Sequence, residues 1–185
     1  MKKTILSIAL TALFTFGALA QESKSVKTST VEWKGYKVTG SHYGTVNLSE
    51  GNLIFNGDTL SGGSFTVDMT SLTSTDLEGE WKEKLDGHLK SDDFFGVESH
   101  PSASLVFTSV TASSKNSYDV TADLTIKGIT NPINFTLGVY GNKANATLKI
   151  DRAQYDIKYG SGSFFDNLGD KAINDMFEIR AKLEL

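Results

Sequence analysis

Residues 117–150 read SYDVTADLTIKGITNPINFTLGVYGNKANATLKI, and their apolar side chains recur at every second position. The alternating runs cover residues 118–126, 133–139 and 144–150, and glycine-containing turns separate them. Successive side chains of a strand point to opposite faces, so each run carries one apolar and one polar face. The stretch therefore predicts three consecutive antiparallel strands that bury one side.

The same alternation continues on both sides of this stretch. It involves Val31 and Trp33, Val46 and Leu48, Leu53 and Phe55, Phe65 and Val67, Leu105 and Phe107, Tyr155 and Ile157, and Phe177 to Leu185. Asn56-Gly57 is a strong hairpin signal between two of these runs. About eight antiparallel strands predict an all-β barrel or sandwich. Closure into a barrel removes exposed edges, and eight strands enclose a solid core or one small ligand.

One segment departs from the strand pattern and predicts a short helical insert over residues 76–90. Its apolar residues recur every fourth position, at Leu77, Trp81, Leu85 and Leu89. Thr75 and Glu78 have the spacing of a capping box at its start. We expect the insert, with the following Phe94-Phe95 pair, to cover one end of the barrel, either as a gate on the ligand path or as a rigid plug.

Composition excludes several classes of function. The 185 residues carry 18 Lys and Arg against 22 Asp and Glu, which gives a net charge of −4 and argues against a nucleic-acid partner. There is no cysteine, which excludes disulfides, thiol nucleophiles and thiolate metal sites. His88, Asp92, Asp93 and His100 match no zinc spacing, and no nucleophile motif occurs. We expect no metal, no cofactor and no enzyme activity.

The first twenty residues have the features of a bacterial secretory signal peptide. Lys2 and Lys3 precede an apolar run, and Ala18-Leu19-Ala20 fits a cleavage site. The run is too short for a transmembrane anchor, and no later run is long enough to span. We expect cleavage after Ala20, a periplasmic or secreted location, and a single domain over residues 21–185.

Two adjacent aromatic pairs, Phe94-Phe95 and Phe164-Phe165, lie in segments without alternation. Neighbouring residues cannot both point into a barrel under the pleat rule. Each pair can plug the barrel end, line a portal or touch a lipid surface.

Six segments in order resemble the YceI-like family, whose members are periplasmic polyisoprenoid-binding proteins with a lipocalin-like barrel. Trp33-Lys34-Gly35 followed by residues 38–46 is similar to its W-x-G…G-x-H-x-G-x-V opening. The other similar segments are residues 63–72 (GSFTVDMTSL), 85–95 (LDGHLKSDDFF), 101–107 (PSASLVF), 123–130 (DLTIKGIT) and 151–157 (DRAQYDI). Leu105 stands where the family usually has an aromatic residue.

The resemblance implies a lipocalin-like barrel with a long apolar cavity for a polyprenyl or quinone-like lipid, and it suggests homodimers. We expect the cavity to be lined by Trp33, Phe65, Val67, Leu85, Leu89, Phe94, Phe95, Phe107, Leu124, Ile126, Phe135, Ile150 and Ile179. His42 and Arg152 match motif positions and are candidates for contact with a polar head group. Alternatively His42 is structural, and Arg152 pairs with Asp151 or Asp123. An enzyme acting on an apolar substrate, and a stress-response partner with a solid core, remain alternatives.

Overall fold

Nine strands and one helix follow each other along residues 21–185, the part of the chain that the computed structural model describes. The predicted signal peptide and its cleavage site lie outside these residues. The elements are β1 (Gln21–Ser25), β2 (Thr28–Lys37), β3 (Gly40–Asn56), β4 (Thr59–Ser74), α1 (Gly79–Lys90), β5 (Ser102–Ser114), β6 (Ser117–Ile126), β7 (Ile129–Tyr140), β8 (Lys143–Asp151) and β9 (Met176–Glu184). Short 3₁₀ turns occupy Arg152–Tyr155 and Gly169–Lys171.

Strands β2 to β9 form a closed up-and-down barrel in which each strand pairs antiparallel with the next. The ring closes where β2 pairs with β9, from Thr28 opposite Glu184 to Lys34 opposite Glu178. Strand β1 lies outside this order and pairs with the last residues of β3. The expected antiparallel barrel of about eight strands with one helical insert is confirmed.

The up-and-down order gives the barrel two different ends. The hairpin end carries the tight connections β3–β4, β5–β6 and β7–β8, and the helix end carries the four others, including α1 and residues 152–175. The helix end also has a two-residue turn, between β6 and β7, where Lys127 and Gly128 have φ of 55° and 76°, which suits the two central positions of a type I′ hairpin. Both long connections, the one that contains α1 and the one formed by residues 152–175, thus lie at the helix end.

The interior differs between the two ends. At the hairpin end, side chains such as Leu53, Leu60, Val120 and Ala122 are almost completely buried and fill the barrel. Toward the helix end, a second cluster that includes Trp33, Met69, Phe94 and Ile157 surrounds open space. The barrel is therefore solid at one end and hollow at the other.

Helix α1 is shorter and differently packed than the sequence predicts. It begins at Gly79, and Glu78 occupies the N-cap position without a side-chain capping bond, so the predicted capping box is wrong. Of the predicted apolar stripe only Leu89 is buried, and Trp81 is 70% exposed. Gly79, the first residue of the helix, has a left-handed backbone (φ 55°). The stripe therefore does not form one buried face.

Polar contacts hold α1 against the end of β4. The Asp86 carboxylate accepts from Thr73 Oγ1 and from the Ser74 amide, both at 2.6 Å, and Lys82 Nζ donates to the Ser74 carbonyl at 2.7 Å. Partial burial raises the pKa of Asp86, but the hydrogen bonds from Thr73, Lys82 and Ser74 outweigh it and lower that pKa to about 2. The charged carboxylate is thus part of the attachment of the helix.

The barrel wall is incompletely hydrogen-bonded between β7 and β8. The described ladder joins only Leu137–Tyr140 to Lys143–Ala146, so residues 129–136 and 147–151 diverge. Pro132, in this stretch of β7, has no amide hydrogen to donate. Beyond the ladder, Asn131 Nδ2 donates to the Gln154 carbonyl at 2.9 Å. We call this divergence the β7–β8 seam.

Candidate functional site

The hollow part of the barrel is an apolar cavity of about 190 Å³ to which all eight barrel strands contribute. Among the described residues that line it, only Arg152 and Asn174 have polar side chains. Burying a polar or charged ligand group against such a lining costs several kcal/mol unless a partner is present. The cavity is therefore suited to hydrocarbon.

The volume limits what the cavity holds in its present shape. An apolar cavity of about 150 Å³ accommodates benzene. By that measure 190 Å³ holds roughly six to eight carbon atoms. A longer chain fits only if lining side chains change rotamer or if part of the chain extends beyond the cavity.

Twelve of the thirteen side chains predicted to line a cavity do line it. The exception is Leu85 on α1, which is half-buried and packs against the surrounding core. These positions establish the geometry, and contact with a ligand stays a prediction. Apolar alternation is the signal that predicts those on strands, because one face of every strand points into the barrel.

Three aromatic rings cross the deep part of the cavity. The ring of Phe107 on β5 lies 5.8 Å, between centroids, from both Phe65 on β4 and Phe135 on β7. Phe65 and Phe107 also pack against the hairpin-end cluster. We call these three residues the aromatic belt, and they separate the hollow region from the filled one.

A second aromatic group closes the cavity toward the helix end. Phe94 packs edge-on against Phe95 at 5.1 Å, and Phe95 approaches Phe177 at 6.4 Å. Backbone bonds from Phe95 N to the Leu89 carbonyl (3.1 Å) and from Val97 N to the Lys90 carbonyl (2.9 Å) fasten this segment to α1. The segment therefore lies where the sequence predicts it, whereas its role as a gate or a plug stays a prediction.

Arg152 is completely buried, and its guanidinium makes four hydrogen bonds and one ion pair. Nε and the two terminal nitrogens donate to the main-chain carbonyls of Ile157, Tyr159, Ile173 and Asn174 at 2.8–3.2 Å. Asp175 lies 3.2 Å from Nη2. Burial lowers the pKa of Arg152, and the carboxylates of Asp175 and Asp151 oppose that shift. Main-chain carbonyls therefore take four of the five N–H donors of the guanidinium, and its charge is paired with Asp175 inside the protein.

Arg152 thus has a structural role in this arrangement. It ties the 3₁₀ turn after β8 to both sides of the long connection 156–175, and its carboxylate partner is Asp175 instead of Asp151 or Asp123. Its guanidinium carbon also lies 5.5 Å from the centre of the Phe94 ring. A buried cation here fixes the loop that borders the cavity.

His42, the other head-group candidate, lies outside the cavity lining. Its Nδ1 is 2.7 Å from the Asp76 carboxylate, which also accepts the Tyr43 amide at 3.1 Å. The pair joins the start of β3 to the segment between β4 and α1. His42 is thus placed to hold two connections of the helix end together.

Several lining residues were not predicted. Leu148, Phe177 and Ala181 lie on the same inward faces of β8 and β9 as the predicted Ile150 and Ile179. The same alternation therefore identifies them. Ile173 and Asn174 lie in the irregular connection before β9, where no periodicity exists. Such positions are fixed by the Arg152 contacts and have no local sequence signal.

Other kinds of site find little support within residues 21–185. No three His, Asp or Glu side chains in this part of the chain come close enough to hold a metal ion. None of its helices has the length and apolar character needed to cross a bilayer. The cavity lining described above contains no Ser, His, Asp, Glu or Lys side chain that could act as nucleophile or base.

Comparison with known proteins identifies relatives of this chain. The model of the YceI-like domain matches residues 21–185. A UPF0312 protein of Pseudomonas putida (strain W619) is 34% identical over 144 residues, covering 73% of this chain and 71% of the relative.

Solved structures share the fold. Burkholderia cenocepacia BcnA superposes with a TM-score of 0.67 at 20% identity, covering 84% of this chain and 94% of that one. A polyisoprenoid binding domain from Saccharophagus degradans, implicated in plant cell wall breakdown, superposes with a TM-score of 0.58 at 15% identity, covering 89% and 97%.

Proposed function

Because the chain belongs to the YceI-like family, we propose that its barrel binds the apolar tail of an isoprenoid-type lipid, polyprenyl or quinone-like. The observation that carries the proposal is the lining of the cavity, where apolar side chains surround the space and the buried guanidinium is held by four main-chain carbonyls and Asp175. The polyisoprenoid binding domain among its structural relatives supports the same class of ligand.

The binding energy that the cavity offers in its present shape is modest. Each methylene removed from water contributes about 0.8 kcal/mol, so six to eight carbons contribute roughly 5–6 kcal/mol before the cost of association. Micromolar binding needs about 8 kcal/mol net. We infer that a tighter complex requires the aromatic rings to move and admit more of the chain.

The proposed role is storage or transport of the lipid in the periplasm, without catalysis. The basic, apolar and A-x-A pattern of residues 1–20 supports export. The absence of a nucleophile or base among the described lining residues favours binding over an enzyme. Stress-related function and a homodimer belong to the same proposal, and sedimentation of the purified protein measures the latter.

Organic extraction and mass spectrometry of the purified protein test the ligand class. We expect a prenyl-chain lipid at close to one per chain. Ala146→Phe, which fills the cavity from β8, should abolish co-purification, whereas Thr147→Phe, on the outward face beside it, should not. Absence of lipid from the wild type, together with no binding of added farnesol or a quinone, would overturn the proposal.

A further inference from the structure

The exposed apolar side chains of the barrel are gathered at one end. Of the ten large apolar residues that are strongly exposed in the described chain, eight lie in or directly beside the connections of the helix end. They are Val38, Tyr43, Trp81, Ile129, Tyr159, Phe164, Phe165 and Met176. The hairpin end has only Tyr140 among its described residues. Scattered exposed apolar residues are normal, but this segregation marks a contact surface.

The two most prominent parts of this surface are fastened together. Trp81 lies on α1, and Phe164-Phe165 lie in the connection before β9. The His88 ring of α1 packs edge-on against Tyr159 of that connection at 4.3 Å between centroids. This contact fastens the two segments to each other at the helix end, and we call Trp81, Phe164 and Phe165 the anchor residues.

Lysines flank the anchor residues in a characteristic way. Lys84 Nζ lies 5.1 Å from the centre of the Trp81 ring, and Lys158 Nζ lies 5.4 Å from that of Phe164. Aromatic rings with neighbouring ammonium groups are typical of residues at a lipid–water interface. There the ring enters the apolar region while the long basic side chain keeps its charge among the head groups.

Charges on this surface are mixed instead of uniformly basic. Lys84 pairs with Glu80 at 2.6 Å, and Lys158 pairs with Asp156 at 2.5 Å. Residues 21–185 have a net charge of −6, because Lys2 and Lys3 are removed from the total of −4. A strongly anionic membrane would repel such a protein. A zwitterionic head group, which carries an ammonium and a phosphate, complements both signs.

The cavity borders the same end, since Gly35, Ile173 and Asn174 line it there. We propose that the helix end docks on the surface of a zwitterionic lipid bilayer, with the anchor residues inserted among the head groups. The purpose of such docking would be delivery or uptake of a lipid, and in that respect this inference rests on the proposed function. The docking itself needs no ligand in the cavity.

Vesicle flotation with delipidated protein tests the surface directly. Vesicles of phosphatidylethanolamine and phosphatidylcholine should carry the wild type upward. Trp81→Ser and the pair Phe164→Ser with Phe165→Ser should each lower the bound fraction at least tenfold. Tyr140→Ser is the matched control, because it removes an equally exposed ring (55%) from the opposite end. Replacing part of the lipid by phosphatidylglycerol should weaken binding.

Fluorescence locates the contact. The chain has two tryptophans, so Trp33→Phe leaves Trp81 as the only reporter. Its emission should shift to the blue with vesicles and be quenched by lipid brominated near the head group. If Trp33→Phe does not fold, flotation of the other variants still decides.

The proposal fails if the wild type does not float, or if Tyr140→Ser impairs flotation as much as the anchor variants do. It also fails if those variants instead abolish a dimer seen by sedimentation, since the surface would then bind a second copy. Lipid extraction is a separate measurement. An empty cavity with normal flotation refutes the proposed ligand, and a filled cavity without flotation refutes docking.

Discussion

Shortening the central ring of the aromatic belt, Phe107→Ala, should lengthen the hydrocarbon chain that the barrel prefers. The ring contacts Phe65 and Phe135, each at 5.8 Å between centroids, at the boundary between the hollow and filled regions. Its removal deletes a benzene-sized group, which occupies an apolar cavity of about 150 Å³. The cavity of about 190 Å³ could therefore grow to as much as about 340 Å³.

That gain corresponds to roughly six carbons, close to one isoprene unit. Competition between farnesol and geranylgeraniol for delipidated protein should shift toward the longer alcohol. Truncation of a buried Phe costs about 3–5 kcal/mol, and we expect the lower figure because Phe107 already borders empty space. Urea unfolding measures this cost.

Phe55→Ala provides the control. Phe55 is buried in the hairpin-end cluster and does not line the cavity, so it should lose similar stability without a change in chain preference. If Phe107→Ala folds, binds both alcohols and keeps the wild-type preference, the belt does not set the depth of the site.

Three further predictions concern the frame of the barrel. Asp86 has a pKa lowered from 3.8 to about 2, which contributes about 1–2 kcal/mol of stability once solvent screening is allowed for. This contribution is complete above about pH 5 and is lost as the pH falls through 2, so Asp86→Asn should flatten this part of an acid-unfolding curve. Arg152→Leu should destabilise the fold by about 3–5 kcal/mol, since it leaves the Asp175 carboxylate without its cation and four buried carbonyls without their donor; wild-type stability by urea unfolding would contradict this assignment. In the β7–β8 seam, those amides of residues 129–136 that point toward β8 should exchange hydrogen faster than the amides of the β6–β7 ladder; uniform protection along β7 by NMR would show that the seam is closed in solution.

Strand positions and the inward faces were predictable because period-two alternation is a local property. The run from Tyr118 to Ile126 alone fixes which side chains point inward, and the structure buries all five of its apolar members. Short turns such as Asn56-Gly57 also predicted which strands lie next to each other in the barrel. For the same reason most of the lining residues on the strands could be identified in advance.

The contacts of Arg152 and Trp81 depend on residues far away in sequence and could not be predicted in the same way. The partners of Arg152 belong to an irregular connection, where no spacing rule indicates which carbonyls converge. The position of α1, in which Trp81 is exposed, involves a left-handed residue at its start, Gly79, and polar contacts around Asp86. Helical spacing predicted a buried stripe because it takes no account of either.

The closure of the barrel between β2 and β9 has a consequence for biosynthesis. Every other pairing within the ring joins strands that follow each other in sequence, whereas this one joins Thr28–Lys34 to Glu178–Glu184. The partner of β2 is therefore synthesised after all the other strands of the ring, and until then the sheet has two free edges. The ring cannot close before β9 has been made, so the two open edges stay available to other strands until that point.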